Sequence, residues 1–237
     1  MPRGCPKHWQ PRGRCPLPSN CCGVGAIGDH FDTARARDDL KRFHETGPDP
    51  TTRRLIAALQ AAIHQSAVPP STLLDIGGGI GAVHHELLGA DVQEAVHLDV
   101  SPAFLEVATE ETARRGHGDR VRFVRGDFVA LAEGIEVADL VTLDRVICCY
   151  PEMEPLVRLS AAKAGRLYGA VYPRGEWWVR LATWFENGVR RLGGSPFRAF
   201  VHPPARIRAE LEGAGLVPVE GHRTFAWEIV VYARQGG

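Results

Sequence analysis

The chain has no excess of charge of either sign: Lys+Arg and Asp+Glu both number 28 in 237 residues, for a formal net charge of +0. A balanced chain has no bulk field with which to wrap a polyanion, so an obligate nucleic-acid partner is excluded and at most a local basic patch remains. No run of about 18 apolar residues occurs, and the first residues lack the apolar stretch of a secretory leader. Neither a membrane span nor a secretion signal is therefore expected, and a cytoplasmic location is the default. The cysteines, at positions 5, 15, 21, 22, 148 and 149, include two adjacent pairs and lack the spaced framework of a disulfide scaffold. They read as thiols. What is present is a 44% hydrophobic chain, long enough for one large core.

The first thirty residues stand apart, with five prolines, five glycines, four cysteines and the cationic residues Arg3, Lys7, Arg12 and Arg14. With little apolar periodicity to offset the entropy of ordering, residues 1–30 are expected to be a disordered segment before a single domain over 31–237. From Phe31, apolar residues at helical spacing predict one helix up to the Gly47-Pro48 break. A second, capped by Thr51 or Thr52, is predicted to end at Pro69-Pro70. Beyond Pro70, short apolar runs alternate with amphipathic stretches, the pattern of βαβ units. Strands are predicted at 72–76, 95–100, 121–125, 138–143 and 166–172. Helices are predicted from Gly81 to Gly89, from Pro102 to Arg115 with Ser101 as cap, and from Glu152 to Ala164. Two further helices, 176–192 and 205–214, precede two closing strands at 216–219 and 225–233.

The segment Leu73 to Ala82, LLDIGGGIGA, lies where a strand should hand over to a helix. Glycines there permit positive φ and let backbone approach a ligand. Gly77, Gly79 and Ala82 satisfy the G-x-G-x-x-G/A spacing of a dinucleotide site, a weak match on its own. Asp75 separates the readings, because a carboxylate beside the loop would repel a pyrophosphate and attract the sulfonium and amino group of S-adenosylmethionine.

D-x-G-G-G-x-G after a first strand resembles the first motif of class I S-adenosylmethionine-dependent methyltransferases. Three later positions are similar to the same family in the right order. Asp99, in HLDVSPAFLEVA, stands where the family places a carboxylate on both ribose hydroxyls, with Val100 beside it. Asp127 and Phe128, in RGDF, resemble its adenine-binding position, Asp127 accepting from the exocyclic amine while Phe128 or its backbone covers the ring. Asp144 ends the fourth strand, in the segment that lines the channel between donor and acceptor. The resemblance covers Phe31 to Arg234. It implies a three-layer, doubly wound, Rossmann-like α/β sheet of seven strands, mostly parallel with an antiparallel last strand, capped by N-terminal helices. It also implies S-adenosylmethionine as methyl donor, held by Asp75, Gly77, Gly78, Gly79, Gly81, Asp99, Val100, Asp127, Phe128 and Asp144. The activity implied is in-line methyl transfer to a small or medium organic acceptor.

A nicotinamide-dependent oxidoreductase, supported by the glycine spacing and opposed by Asp75, stays open as an alternative. So does a non-catalytic nucleoside-binding protein on the same fold. For the acceptor, Tyr150 and His202 are candidates for substrate contact or proton handling, among Arg145, Cys148, Cys149, Tyr172, Arg174, Trp177, Trp178 and His222 at the carboxyl ends of the strands. The helix from Glu176 carries Trp177, Leu181, Trp184, Phe185, Val189 and Leu192 on one side. It reads as a helix packed on the sheet or as an aromatic wall over a flat acceptor, with a membrane-surface helix a more distant reading. The final strands are loosely similar to those of magnesium-protoporphyrin methyltransferases. Adjacent cysteines are poor zinc spacing, so no metal is expected, and a thiophilic site joining Cys21, Cys22, Cys148 and Cys149 is an alternative.

Overall fold

The computed structural model describes residues 25, 27–28, 30–66, 69–89 and 91–235. Helix α1, Thr33–Thr46, starts at Asp32, whose carboxylate accepts from the Arg35 amide, and ends at Gly47 with φ +73°. Helix α2 spans Pro50–Gln65. Its cap is Asp49 rather than Thr51 or Thr52: Pro50 occupies the first helical position, so the capping residue is the one before it, and the Asp49 carboxylate reaches both threonine amides.

Strand β1, Thr72–Ile76, leads through the glycine loop into α3, Ala82–Leu88. Then follow β2 (Glu94–Asp99), α4 (Pro102–Arg114), β3 (Val121–Arg125), a four-residue α5 (Phe128–Leu131) and β4 (Ala138–Asp144). Ser101 caps α4 with Pro102 in its first turn, as its sequence predicts. Next come α6 (Met153–Lys163), β5 (Ala164–Pro173), α7 (Trp177–Leu192), α8 (Pro204–Gly213), β6 (Leu216–Arg223) and β7 (Trp227–Arg234). The short α5 and the 3₁₀ turns at 118–120, 132–134 and 147–149 were not predicted, being too short to show a period.

The seven strands form one sheet in the order β3-β2-β1-β4-β5-β7-β6. All neighbours among β1 to β5 pair parallel, and β7 runs antiparallel to both β5 and β6, which is the predicted doubly wound sheet with its reversed last strand. Pro218 sits in edge strand β6 beside a register shift, where a missing N–H is tolerated. One side of the sheet is covered by α6 and α8 over a core that includes Tyr168, Tyr172 and Tyr232. The other is covered by α2 and α3 through Leu55, Leu59, Val83 and Leu87. Strand order reverses between β1 and β4, so a crevice opens at their carboxyl ends, the place where ligands bind in open α/β sheets.

The predicted disordered segment lies almost wholly outside the described residues, as do Cys21 and Cys22. Among the described residues no helix is long and apolar enough to cross a membrane.

Candidate active site

The crevice is a cavity of about 1010 Å³, walled by the glycine loop, the ends of β2 and β4, the N-terminal helices and α7. Two loop glycines are sterically obligatory. Gly77 has φ +63°, and a Cβ there would stand 2.6 Å from Val146 Cγ2; a Cβ on Gly78 would stand 2.6 Å from His97 Nδ1 and 2.7 Å from Asp75 Oδ2. Gly79 and Gly81 also have positive φ, and Gly81 starts α3.

The amides of four loop glycines are bonded internally. Gly77 and Gly78 both donate to the Leu98 carbonyl (2.7 and 3.4 Å), Gly79 to Asp99 Oδ2 (3.0 Å) and Gly81 to the Gly78 carbonyl (2.9 Å). A pyrophosphate cradle uses such amides, and these four are already spent. Asp99 carries the arrangement. Its other oxygen accepts from the Ser101 amide at 2.8 Å, and each oxygen keeps a second lone pair for a ligand hydroxyl. Burial pushes Asp99 up to about 6, against those two amide bonds. Val100 lines the cavity beside it.

Asp75 lies in the cavity wall but is only 1% exposed; its carboxylate turns behind the loop rather than into open space. It accepts from Thr142 Oγ1 at 2.8 Å, and His84 Nδ1 lies 3.4 Å from its second oxygen. Burial opposes its ionisation, but the contacts with His84, His97 and Thr142 hold it below the usual carboxylate range. The expectation that Asp75 faces the ligand directly is thereby corrected, because the helix after the loop brings His84 across its oxygen.

Asp127 caps α5, accepting from the Val129 amide at 3.0 Å, and its Oδ1 also accepts from the Tyr150 hydroxyl at 2.6 Å. Phe128 is fully buried in the core, so its ring does not cover a ligand, and neither Asp127 nor Phe128 is among the residues that wall the cavity. The reason is the short α5, which turns the ring under the sheet. Asp144 lines the cavity, yet its carboxylate is engaged by Arg145 Nε (3.1 Å) and by Thr52 Oγ1. Arg145 also pairs with Asp49, latching α2 to the end of β4, and it is the one described non-glycine residue with positive φ, +60°.

Neither acceptor candidate presents a free base to the cavity. Burial and Asp127 hold the Tyr150 phenol protonated. His202 donates Nε2–H to the Tyr150 carbonyl at 2.8 Å and is absent from the cavity wall. Cys148 and Cys149 are free thiols in the wall, both directed at the Arg145 carbonyl, and burial together with Cys148 raises Cys149.

The apolar stripe of helix α7 neither packs on the sheet nor faces the cavity: Trp177 (74%), Trp184 (73%), Phe185 and Leu192 are exposed. The helix instead turns Trp178, its ring 4.2 Å from that of Phe225, to the cavity with Val179, Ala182, Thr183, Glu186 and Arg190. The helix is docked through polar contacts, Asn187 exchanging two hydrogen bonds with the Ala199 backbone (2.7 and 2.9 Å).

The N-terminal helices supply what the sequence reading missed. His30 stacks on Phe197 at 4.2 Å and accepts at Nε2 from Arg35 (3.1 Å), so Arg35 reaches the cavity paired with a neutral ring rather than a carboxylate. Burial and Arg35 lower His30. No local motif marks these residues, since only the fold carries α1 across the sheet.

A doubly wound sheet with this loop, an acidic residue ending β2 and a reversed last strand defines the class I methyltransferase architecture. The methyltransferase-domain family model matches residues 74–161. A stretch of 102 residues is 31% identical to 3-amino-4-hydroxybenzoate 4-O-methyltransferase of Streptomyces cremeus, covering 40% of this chain and only about a quarter (27%) of that protein's length. Magnesium protoporphyrin IX methyltransferase from Synechocystis PCC 6803 with bound S-adenosylhomocysteine superposes with a TM-score of 0.67. The match has 19% identity and covers 90% of this chain and 100% of that one. The N-methyltransferase NodS from Bradyrhizobium japonicum WM9, also with S-adenosylhomocysteine, gives 0.61 at 15% identity over 90% and 98% of the two chains. Residues 74–161 thus match the methyltransferase-domain family, on a fold shared with methyltransferases solved with S-adenosylhomocysteine.

Proposed function

We propose that this chain transfers a methyl group from S-adenosylmethionine to a small or medium organic acceptor by in-line displacement. The observation that carries the reading is the closed amide pattern of the glycine loop. With four loop amides spent on Leu98, Asp99 and Gly78, the site offers a nucleoside a carboxylate at Asp99 and offers a pyrophosphate little. This favours a sulfonium donor over a nicotinamide dinucleotide.

In this reading Asp99 holds the ribose and Val100 packs beside it. Asp127, fixed by Tyr150, and the Phe128 backbone stand on the adenine side, behind the cavity wall. Asp75, Gly77, Gly78, Gly79 and Gly81 shape the methionine end, and Asp144 keeps the β4 end in register with α2. Transfer from a sulfonium has a good leaving group, so orientation supplies most of the acceleration, about 7–11 kcal/mol where two reactants are held aligned. Tyr150 and His202 act as positioning residues, since both polar ends are already committed. On the acceptor side Arg35 is the guanidinium available to an anionic group, which fits a carboxylated aromatic acceptor of the kind named for the Streptomyces relative.

Thermal denaturation with S-adenosylhomocysteine, S-adenosylmethionine and NADH tests the donor. Either adenosyl ligand at 100 times its Kd should stabilise the chain by about 2.7 kcal/mol. Stabilisation by NADH alone would overturn the proposal.

A further inference from the structure

We propose that Asp75, His84 and His97 form a site for one first-row divalent ion of borderline softness, Zn²⁺ above all, directly beneath the glycine loop. The three residues come from β1, α3 and β2, and all are buried, with 1%, 0% and 0% exposure. They offer one carboxylate oxygen and two imidazole nitrogens within 4.8 Å of one another.

Hydrogen bonding alone leaves this cluster unsatisfied. His84 Nδ1 lies 3.1 Å from His97 Nδ1 and 3.4 Å from Asp75 Oδ2. Only one proton fits between the two ring nitrogens. If His84 carries it, that N–H must serve both His97 and Asp75. If His97 carries it, the bare His84 nitrogen faces a carboxylate oxygen. Asp75 Oδ2, on the side where the three residues face one another, is left without a well-formed hydrogen bond. Buried polar atoms in native structures are nearly always paired, and such an orphan facing two ring nitrogens points to an ion or a water.

A cation satisfies the three facing atoms together. Zinc bonds to nitrogen and oxygen of about 2.0–2.2 Å set tetrahedral ligands about 3.3 Å apart, which the separations of 3.1 and 3.4 Å already approximate. All three atoms lie within 4.8 Å of one another, so the third separation closes by about 1.5 Å at most to reach that tetrahedral spacing. The donor set of two imidazoles and a carboxylate suits Zn²⁺, with Fe²⁺, Co²⁺ and Ni²⁺ as chemical competitors, and it is poor for Mg²⁺ or Ca²⁺. Each ring turns a nitrogen to the cluster, His84 Nδ1 and His97 Nδ1, as an imidazole ligand requires. The absent Cβ of Gly78, which would stand against both His97 Nδ1 and Asp75 Oδ2, leaves the cluster open toward the cavity wall. An ion here would tie the ends of β1 and β2 to the start of α3, fixing the loop without touching a ligand above it. The site stands independently of the methyl-donor reading.

The test uses the full chain with all six cysteines changed to serine, which removes thiolate sites, stripped with a chelator and then titrated. Zn²⁺ followed by calorimetry should bind at one ion per chain and raise Tm by several degrees, and Co²⁺ should give visible bands of a tetrahedral nitrogen and oxygen site. His97→Gln and Asp75→Asn, each checked by circular dichroism for retained fold, should weaken Zn²⁺ binding at least a hundredfold and abolish the Tm rise. Absence of saturable binding in the cysteine-free chain would overturn the proposal. So would Zn²⁺ binding that survives His97→Gln unchanged. If either variant fails to fold, His84→Asn with the Co²⁺ spectrum decides by the same criteria.

Discussion

The two halves of the cavity are built on opposite principles. On the donor side, from β1 to β4, polar groups answer one another at short range: loop amides close on Leu98 and Asp99, Ser101 closes on Asp99, and Tyr150 closes on Asp127. On the acceptor side, α1, α2 and α7 present arginines and aromatic rings, and α7 turns its apolar face to solvent. A pocket whose backbone is committed in this way has one shape and one class of ligand. A wall of long side chains on helices can be refitted to many acceptors, so fold likeness transmits the donor and not the acceptor.

The largest effect expected from breaking this contrast is at Asp99. Asp99→Ala frees the Gly79 and Ser101 amides and, on the proposed donor reading, removes the acceptor for the ribose hydroxyls. Hydrogen bonds to a charged group are worth about 1.5–3 kcal/mol each, so S-adenosylhomocysteine affinity should fall by roughly a hundredfold or more by calorimetry. Trp184→Ala on the outer face of α7 should leave that affinity unchanged, and an equal loss there would erase the distinction between the halves.

Next in size is Gly77→Ala, which meets Val146 and a positive φ together. Backbone strain of this kind costs about 1–3 kcal/mol, readable as a lower urea midpoint at constant slope.

A smaller effect sharpens how the halves are joined. Glu111, on the donor-side helix α4, receives hydrogen bonds from Arg114, Arg115 and His44 of α1. Burial opposes its ionisation, but these partners hold it below the usual carboxylate range. A depressed carboxylate contributes stability above its unfolded value, near 4.5, and loses that contribution as pH falls toward the folded one. Stability should therefore decline below about pH 4.5 more steeply in the native chain than in Glu111→Gln, as measured by urea titration at each pH. Equal slopes would show that Glu111 does not anchor α1.

The smallest expected change is in Phe185→Ser. This ring is 65% exposed, so stability should move by about 0.5 kcal/mol or less. A large loss would show that the outer face of α7 is covered in solution.

Sequence made the donor side legible because its signals are local. The strand, the glycines and Asp99 sit within the 28 residues from Thr72 to Asp99, and each glycine's position follows from backbone sterics. The acceptor side was opaque for a physical reason. The periodicity of α7 identifies which face is apolar but not which way that face points, and the helix is held by Asn187 rather than by its hydrophobic stripe. His84 and His97 were missed likewise, since their meeting depends on α3 lying against β2, and neither belongs to a spaced motif. Sequence names Tyr150 and His202 only as candidates for substrate contact or proton handling, and coordinates reveal that the Tyr150 hydroxyl is bonded to Asp127 and His202 Nε2 to the Tyr150 carbonyl.

The left-handed backbone at Arg145 has a consequence for heredity. By turning the chain there, it presses Val146 onto Gly77, seventy residues earlier. Positions 77 and 146 therefore cannot drift independently. An alanine at 77 is tolerated better after Val146 has shrunk, and a larger residue at 146 is tolerated only while 77 stays glycine. Descendants of this chain should change these two sites in a fixed order, with the residue after the strand moving first and the glycine second.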